Sequence, residues 1–346
     1  MEYFCRIEDL IFLSGGEIME KRHAVVTATG SYFPPKVVPN SFFESYLETS
    51  DEWIKTRTGI SERHYVEKGV ASSDLALEAC RKLLKKRGIG PEEIDAIVFG
   101  TVTPDMMYPS SACLLQDKLG AKNAYGFDVS AGCCGFVFSY TTGVMLVESC
   151  RYDKVLVVGA DVCTSFLDMN DRNTCVLFGD GAGAVLLEPA GPEEGMLDTI
   201  QHVDGSGGKY LYMAGGGSLN PTSAETVAKN LHTVHQEGRE VFKHAVTKMA
   251  DVAVEVVEKN GFTLEDVDLF VPHQANIRII ESVAKRMKLP KEKVMINIDK
   301  FGNTTAATIP SCLDQAVETG RLKKGDLVVI ASFGAGFTWG SALIRW

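Results

Sequence analysis

KRGIGPEEIDAIVFGT at 86–101 and EKNGFTLEDVDLFVPH at 258–273 carry one pattern written twice, and their match decides the fold. Each closes a helical run, turns at a glycine (Gly88, Gly261) and enters a short apolar strand, with Ile94 and Asp95 answering to Val267 and Asp268 half a chain away. The runs that precede them, LALEACRKLLKK and VTKMADVAVEVVEK, are apolar at helical spacing. A second match at nearly the same offset pairs DKVLVVGAD (153–161) with GDLVVIASF (325–333), both β-branched runs of the kind buried in central strands. Helix, turn and strand repeated in one order predict a duplicated α/β fold.

The repeat also places chemistry. FDVSAGCC (127–134) and INIDKFGN (296–303) occupy equivalent places, so Cys133 and Asn303 stand at corresponding strand-to-helix junctions. Two facing α/β halves bring such junctions into one cleft at the carboxyl ends of the strands. His273 lies just past the strand 268–271, which Pro272 stops, and before a helix starting near Ile277, so it projects into the same cleft. No residue from Val129 through Val147 is charged, which puts Cys133 at the start of a buried helix. The unpaired N–H groups and partial positive charge of a helix N-terminus favour thiolate and predict a lowered thiol pKa. Asn303 is expected to serve as a helix N-cap as well.

Cysteine, histidine and asparagine in that order are also the set of papain-like proteases, where the imidazole withdraws the thiol proton and the amide orients it. In the alternative, His273 and Asn303 both donate hydrogen bonds to one thioester oxygen and stabilise the enolate left when a malonyl group loses carbon dioxide. A carboxamide suits that task because it neither repels the developing charge, as Asp would, nor readily protonates the carbanion. The protease signature C-G-S-C-W is absent.

Composition narrows the field further. The chain has 346 residues, 45% of them hydrophobic, and a net charge of −10, which argues against a general nucleic-acid binder. Its nine cysteines form no C-x-x-C pair and sit in apolar patterns, as reduced thiols of a cytosolic protein do. No zinc signature is present, His232 and His235 reading as a solvated loop. The uncharged stretch after Asp128 carries Ser130, Ser139, Thr141 and Thr142 and suits a protein core better than lipid. We expect 1–18 to be a disordered extension or a start-site artefact. Its apolar stretch is too short and acidic for a signal peptide, and Gly15 to Glu17 can be encoded by a purine-rich ribosome-binding stretch before Met19. The halves are expected at 19–193, carrying the nucleophile, and 194–346, carrying His273 and Asn303.

Seven segments in order, TSDEWIKTRTGI, YPSSACLLQ, FDVSAGCCGF, FGDGAGAVLLE, VPHQANIRII, FGNTTAATIP and SFGAGFTWGSALIRW, make the chain resemble the 3-oxoacyl-[acyl-carrier-protein] synthase III family from Met19 to Trp346. The resemblance implies a thiolase-like fold layered α-β-α-β-α and a cytoplasmic homodimer. It implies decarboxylative condensation of a short acyl-CoA with malonyl carrier protein, without metal or redox cofactor, to initiate fatty acid synthesis. Carried over residue by residue, it makes Cys133 the acyl-accepting nucleophile, His273 and Asn303 the malonyl-holding pair, and the backbone N–H groups of Cys133 and Gly336 the oxyanion hole. Trp53 and Arg172 would hold the coenzyme A adenine from its two faces, with Arg57 and Asn276 along the phosphate and pantetheine path. Arg278, Lys285 and Arg286 would dock the acidic carrier protein, with Lys243 a weaker addition. Tyr108 matches the position that closes the partner's acyl pocket. Two departures stand out: Arg239 where many relatives carry Asn, and Cys134 where they carry a small residue. Neighbouring helix positions point about 100° apart, so only one of the two thiols can face the acyl chain, and Cys133 is the choice. A condensing enzyme for a polyketide or alkylquinolone starter is the nearest rival reading, and a non-catalytic acyl-binding scaffold a remote one.

Overall fold

The computed structural model describes residues 22–346, together with the backbone of two short antiparallel strands, Leu10–Phe12 and Ile18–Glu20. The expectation for 1–18 otherwise lies outside the described residues.

The first half builds a five-stranded sheet from β1 (His23–Tyr32), β2 (Ala96–Gly100), β3 (Tyr125–Val129), β4 (Val155–Asp161) and β5 (Gly181–Ala190), in the order β1-β5-β4-β2-β3. The second builds a four-stranded sheet from β6 (Gly195–Val203), β7 (Leu269–Pro272), β8 (Leu327–Gly334) and β9 (Thr338–Arg345), in the order β6-β9-β8-β7. Strand for strand the orders and directions agree, with the central pairs parallel and the β5 and β9 pairs antiparallel. The counterpart of β3 has shrunk to one parallel bridge between Phe270 and Val294.

Both faces of each sheet are buried, and the period of two in the strands sorts side chains into three layers of core. In β2, Ala96 and Val98 face the centre of the molecule while Ile97 and Phe99 face out; in β8, Val328 and Ile330 face the centre while Leu327 and Val329 face out. The central layer holds two helices, α3 (Gly135–Glu148) and α6 (Thr308–Glu318). The outer layers are α1 (Ser72–Arg87) with α2 (Ser111–Leu119) on the first sheet, and α4 (Gly238–Lys259) with α5 (Ile277–Arg286) on the second. The result is helix, sheet, helix, sheet, helix, as the resemblance implied.

Local sequence explains the outer helices. In α1 the buried Leu75, Ala76, Ala79, Cys80, Leu83 and Leu84 recur at helical spacing, and the helix stops at Gly88 with φ +75°, which a side chain would resist. The halves are tied by Asp314 of α6, which accepts from the hydroxyls of Thr29 (2.8 Å) and Ser31 (2.7 Å) of β1. Close approach matters too: a Cβ at Gly159 in β4 would lie 2.2 Å from the Ala306 carbonyl.

Candidate active site

The thiol is placed by a tight turn. After β3, the N–H groups of Cys134 and Gly135 donate to the carbonyls of Ala131 and Gly132 (3.1 and 2.9 Å), and α3 begins at Gly135 with Cys134 as its N-cap. Cys133 therefore sits one residue ahead of the cap rather than within the helix. Gly334 makes room for it, since a Cβ there would stand 2.4 Å from the Cys133 nitrogen. The two thiols point apart: Cys133 lines the pocket, whereas Cys134 is fully buried and its Sγ donates to the Thr338 carbonyl at 3.3 Å.

The surroundings reverse the expected pKa. Burial pushes the Cys133 thiol well above its ordinary range, and nearby Cys134 and Asp161 add to the shift. A helix dipole fades within the first turn, and ahead of the cap it does not outweigh desolvation. A thiol whose pKa lies above the working range gains thiolate about tenfold per pH unit. Alkylation of Cys133 in the ligand-free protein should therefore climb steadily from pH 6 to 9; a plateau near pH 7 would show that the helix terminus wins.

His273 continues from β7, its N–H donating to the Ala331 carbonyl at 2.8 Å. The ring is buried, with Nδ1 2.7 Å from the Thr308 hydroxyl and Nε2 without a partner among the described residues. Burial disfavours the imidazolium and pushes its pKa down to about 3, so the ring is neutral at physiological pH. Asn303 is held by its backbone to Leu177 and Gly179, its N–H donating to the Leu177 carbonyl (2.9 Å) and its carbonyl accepting from the Gly179 N–H (3.0 Å). It is not a helix cap. α6 starts only at Thr308, and the Asn303 Oδ1 instead accepts from the Thr305 N–H at 2.9 Å, an Asx turn.

Cys133, His273 and Asn303 line one cavity of about 260 Å³, walled by apolar side chains such as Phe166, Phe178, Leu211 and Phe333. A second cavity of about 570 Å³ shares Leu177, Gln236, Gly238, Phe242 and Asn276 with the first, and so forms its vestibule. Trp53, Arg57, Arg172, Arg239 and Arg278 line that vestibule, and among the described residues no carboxylate does. Arg57 and Arg172 lie 4.9 and 4.8 Å from the Trp53 ring centroid, and Arg172 also donates to the Glu48 carbonyl. The expected adenine slot between Trp53 and Arg172 is thus closed, for a base between them needs about 7 Å, two contacts of about 3.5 Å each. The Asn276 side chain caps α5, accepting from the Arg278 N–H (2.9 Å) and donating to the Arg57 carbonyl (3.0 Å).

Other expected residues lie elsewhere. Gly336 is not among the residues lining the pocket; the preceding Ala335 is, and its backbone packs against Gly132, where a Cβ would stand 2.6 Å from the Ala335 nitrogen. Tyr108 is 85% exposed and lines neither cavity. Lys285 and Arg286 lie on α5 beyond Arg278, with Arg286 paired to Asp251 at 2.6 Å, and Lys243 is exposed on α4. Sequence reasoning missed Thr308, Ala335 and the place of Arg239 in the vestibule. FGDGAG turns out structural: Asp180 accepts from the N–H groups of Val66 and Thr164 and from the Thr164 hydroxyl, pinning loops behind the pocket.

A duplicated five-layer α/β fold that aims a thiol, an imidazole and a carboxamide into one apolar pocket defines a thiolase-like condensing enzyme. Over 327 residues, 94% of this chain, it is 57% identical to the beta-ketoacyl-[acyl-carrier-protein] synthase III of Koribacter versatilis, of which it covers 98%, and 50% identical to that of Caldanaerobacter subterraneus, of which it covers 99%. The chain belongs to the 3-oxoacyl-[acyl-carrier-protein] synthase III family. Residues 127–205 match the model of 3-oxoacyl-[acyl-carrier-protein (ACP)] synthase III, and residues 257–346 the model of its C-terminal part. Among solved structures, the Aquifex aeolicus 3-oxoacyl-[acyl-carrier-protein] synthase III superposes with TM-score 0.87 at 40% identity, covering 93% of this chain and all of that one. The priming β-ketosynthase of the R1128 polyketide pathway superposes with the same TM-score at 33% identity, covering 95% of this chain and 98% of that one.

Proposed function

We propose that the chain joins a short acyl group from acyl-CoA to malonyl carrier protein, giving 3-oxoacyl carrier protein, coenzyme A and carbon dioxide, and so initiates type II fatty acid synthesis. The observation that carries the reading is the convergence of Cys133, His273 and Asn303 on one apolar pocket behind an arginine-lined vestibule. The Cys133 sulfur attacks the acyl thioester carbonyl while the N–H groups of Cys133 and Ala335 hold the oxyanion, and coenzyme A leaves with the thiol proton. Ala335 takes this role rather than Gly336 because it lines the pocket. The malonyl thioester then places its carbonyl oxygen between His273 Nε2–H and Asn303 Nδ2–H. Carbon dioxide departs, and the enolate carbon attacks the Cys133 thioester to form the new carbon–carbon bond as the carbon–sulfur bond breaks; the Cys133 thiolate leaves and takes a proton from solvent, restoring the thiol. For Nε2 to carry the proton, the Thr308 hydroxyl, 2.7 Å from His273 Nδ1 and 2.9 Å from the Thr305 carbonyl, donates to Nδ1 rather than to that carbonyl, which also accepts the Thr308 N–H.

Product mass decides the reading. Acetyl-CoA with malonyl carrier protein should yield acetoacetyl carrier protein with one free coenzyme A per turnover, and release of acetate or malonate without condensation would reject it. The likeness to a priming ketosynthase keeps a polyketide starter as second reading, and a panel of longer and branched acyl-CoA starters separates the two.

For coenzyme A, adenine must displace Arg172 from Trp53 and stack in its place. Base stacking on an aromatic ring contributes about 1–3 kcal/mol, so Trp53→Ala should raise KM for acetyl-CoA about tenfold and leave KM for acetyl-pantetheine unchanged. Equal effects on both substrates would remove the adenine from this site. Carrier docking falls to Arg278, Lys285 and Arg286, an α5 face beside the vestibule. Lys285→Glu should raise KM for malonyl carrier protein about fivefold, more at low salt, and spare acetyl-CoA; a salt-independent change would point to misfolding of α5. In a homodimer the exposed run Met106, Met107 and Tyr108 would be covered, with Tyr108 entering the partner's acyl pocket. Among the described residues no helix is long and apolar enough to cross a membrane, in keeping with a cytoplasmic enzyme.

A further inference from the structure

We infer that Asp161 is a positioning residue for the condensation step: from the first half it holds Thr305 of the second in a left-handed conformation, and Thr305 fixes which end of the Asn303 carboxamide faces the substrate. The inference rests on the reading that Asn303 donates to the malonyl thioester. Asp161 ends β4, is fully buried and has no ion pair among the described residues. A carboxylate in that setting persists only by collecting hydrogen-bond donors. Its Oδ1 accepts from the Thr101 hydroxyl (2.9 Å), the N–H groups of Val102 (2.8 Å) and Thr103 (3.1 Å) and the Thr103 hydroxyl (2.9 Å). Its Oδ2 reaches across the boundary between the halves, accepting from the Ala306 N–H (3.1 Å) and the Thr305 hydroxyl.

Thr305 has φ +48°, a region that excludes most β-branched residues unless their surroundings impose it. The bonds to Asp161 from its hydroxyl and from the next N–H are what impose it. In that conformation the Thr305 N–H meets Asn303 Oδ1 at 2.9 Å. With the oxygen engaged, Nδ2 is the end of the carboxamide left for the pocket. Released, the amide could turn about its broad, two-fold terminal torsion and present oxygen to the enolate, replacing attraction by repulsion.

The test separates the two half-reactions, each rate being taken per acylatable Cys133 so that unfolded protein does not count. Asp161→Asn should slow carbon dioxide release from malonyl carrier protein about 30-fold while acylation by acetyl-CoA holds within threefold or rises, since the substitution removes a charge that helps keep the Cys133 thiol protonated. In an Asn303→Ala background the same substitution should change decarboxylation less than threefold, because the group through which it acts is gone. Should Asp161→Asn not fold, Thr305→Val carries the same test, with Thr305→Ser restoring decarboxylation. Equal losses in both half-reactions, or an undiminished effect in the Asn303→Ala background, would make Asp161 a structural residue only and overturn the inference. If Asn303→Ala alone leaves decarboxylation intact, it is the role of Asn303 that fails.

Discussion

Cys133→Ser should abolish acylation by acetyl-CoA, a loss of at least about 10³-fold, while Cys134→Ser leaves it within about threefold. The difference follows from where each sulfur points. Cys133 lines the pocket together with Ala335, and Cys134 is turned into the core against the Thr338 carbonyl. Serine keeps the shape of Cys133 but not its chemistry, since a hydroxyl needs a strong general base to attack a thioester. Intact-protein mass after incubation with acetyl-CoA reads the result: an acetyl adduct on Cys134→Ser and none on Cys133→Ser. The reverse pattern would exchange the two residues. The Cys133→Ser protein should still release carbon dioxide from malonyl carrier protein, because His273 and Asn303 do not depend on the sulfur.

The duplication was legible because strand and helix periods are local properties and both halves kept them. Ile97 and Phe99 alternate with Ala96 and Val98 whatever else the chain does, and alternation without polar residues already means two buried faces. The segment between β1 and α1 lies outside the two sequence matches that mark the repeat. Its residues Val38, Phe43, Ile54 and Ile60 pack not on their own half but into the outer core of the second, with Val256, Phe270 and Ile280. No local pattern states which sheet an insertion will cover. The loss of a full strand opposite β3 was equally hidden, because MINI at 295–298 reads as an apolar run in either case.

Within the site, residue identities were legible and their electrostatics were not. The uncharged run after Cys133 marked its helix correctly as buried, with the thiol half-buried at the helix's start, yet desolvation there raises the Cys133 pKa, and desolvation by tertiary neighbours cannot be weighed against a helix terminus from one strand-to-helix junction. Asn303 kept its place but changed partners, since the left-handed Thr305 delays the helix to Thr308 and nothing in NTTAAT announces a positive φ at a threonine. Gly336 drew attention because glycine permits close backbone approach, but it is Gly132, against the Ala335 backbone, and Gly334, against the Cys133 backbone, that let the two loops come together.

His273→Ala and Asn303→Ala should each slow decarboxylation of malonyl carrier protein by about 10²- to 10³-fold, the usual cost of removing one donor to a developing oxyanion. Acylation of Cys133 should fall far less in Asn303→Ala, because its oxyanion is held by backbone N–H groups. Asn303→Asp should be slower still than Asn303→Ala, since a carboxylate repels the enolate that the amide stabilises. The pH dependence follows from burial. With the His273 pKa pushed down to about 3, the ring is already neutral at pH 5 and stays so through pH 9. A neutral ring donates through Nε2–H without protonating the carbanion as an imidazolium would. The decarboxylation rate of pre-acylated enzyme should therefore be flat between pH 5 and 8, with no step at the ordinary histidine value of about 6.5. A tenfold change centred near that value, absent in His273→Gln, would mean that the imidazole titrates in the working enzyme and acts as a proton carrier rather than as a fixed hydrogen-bond donor.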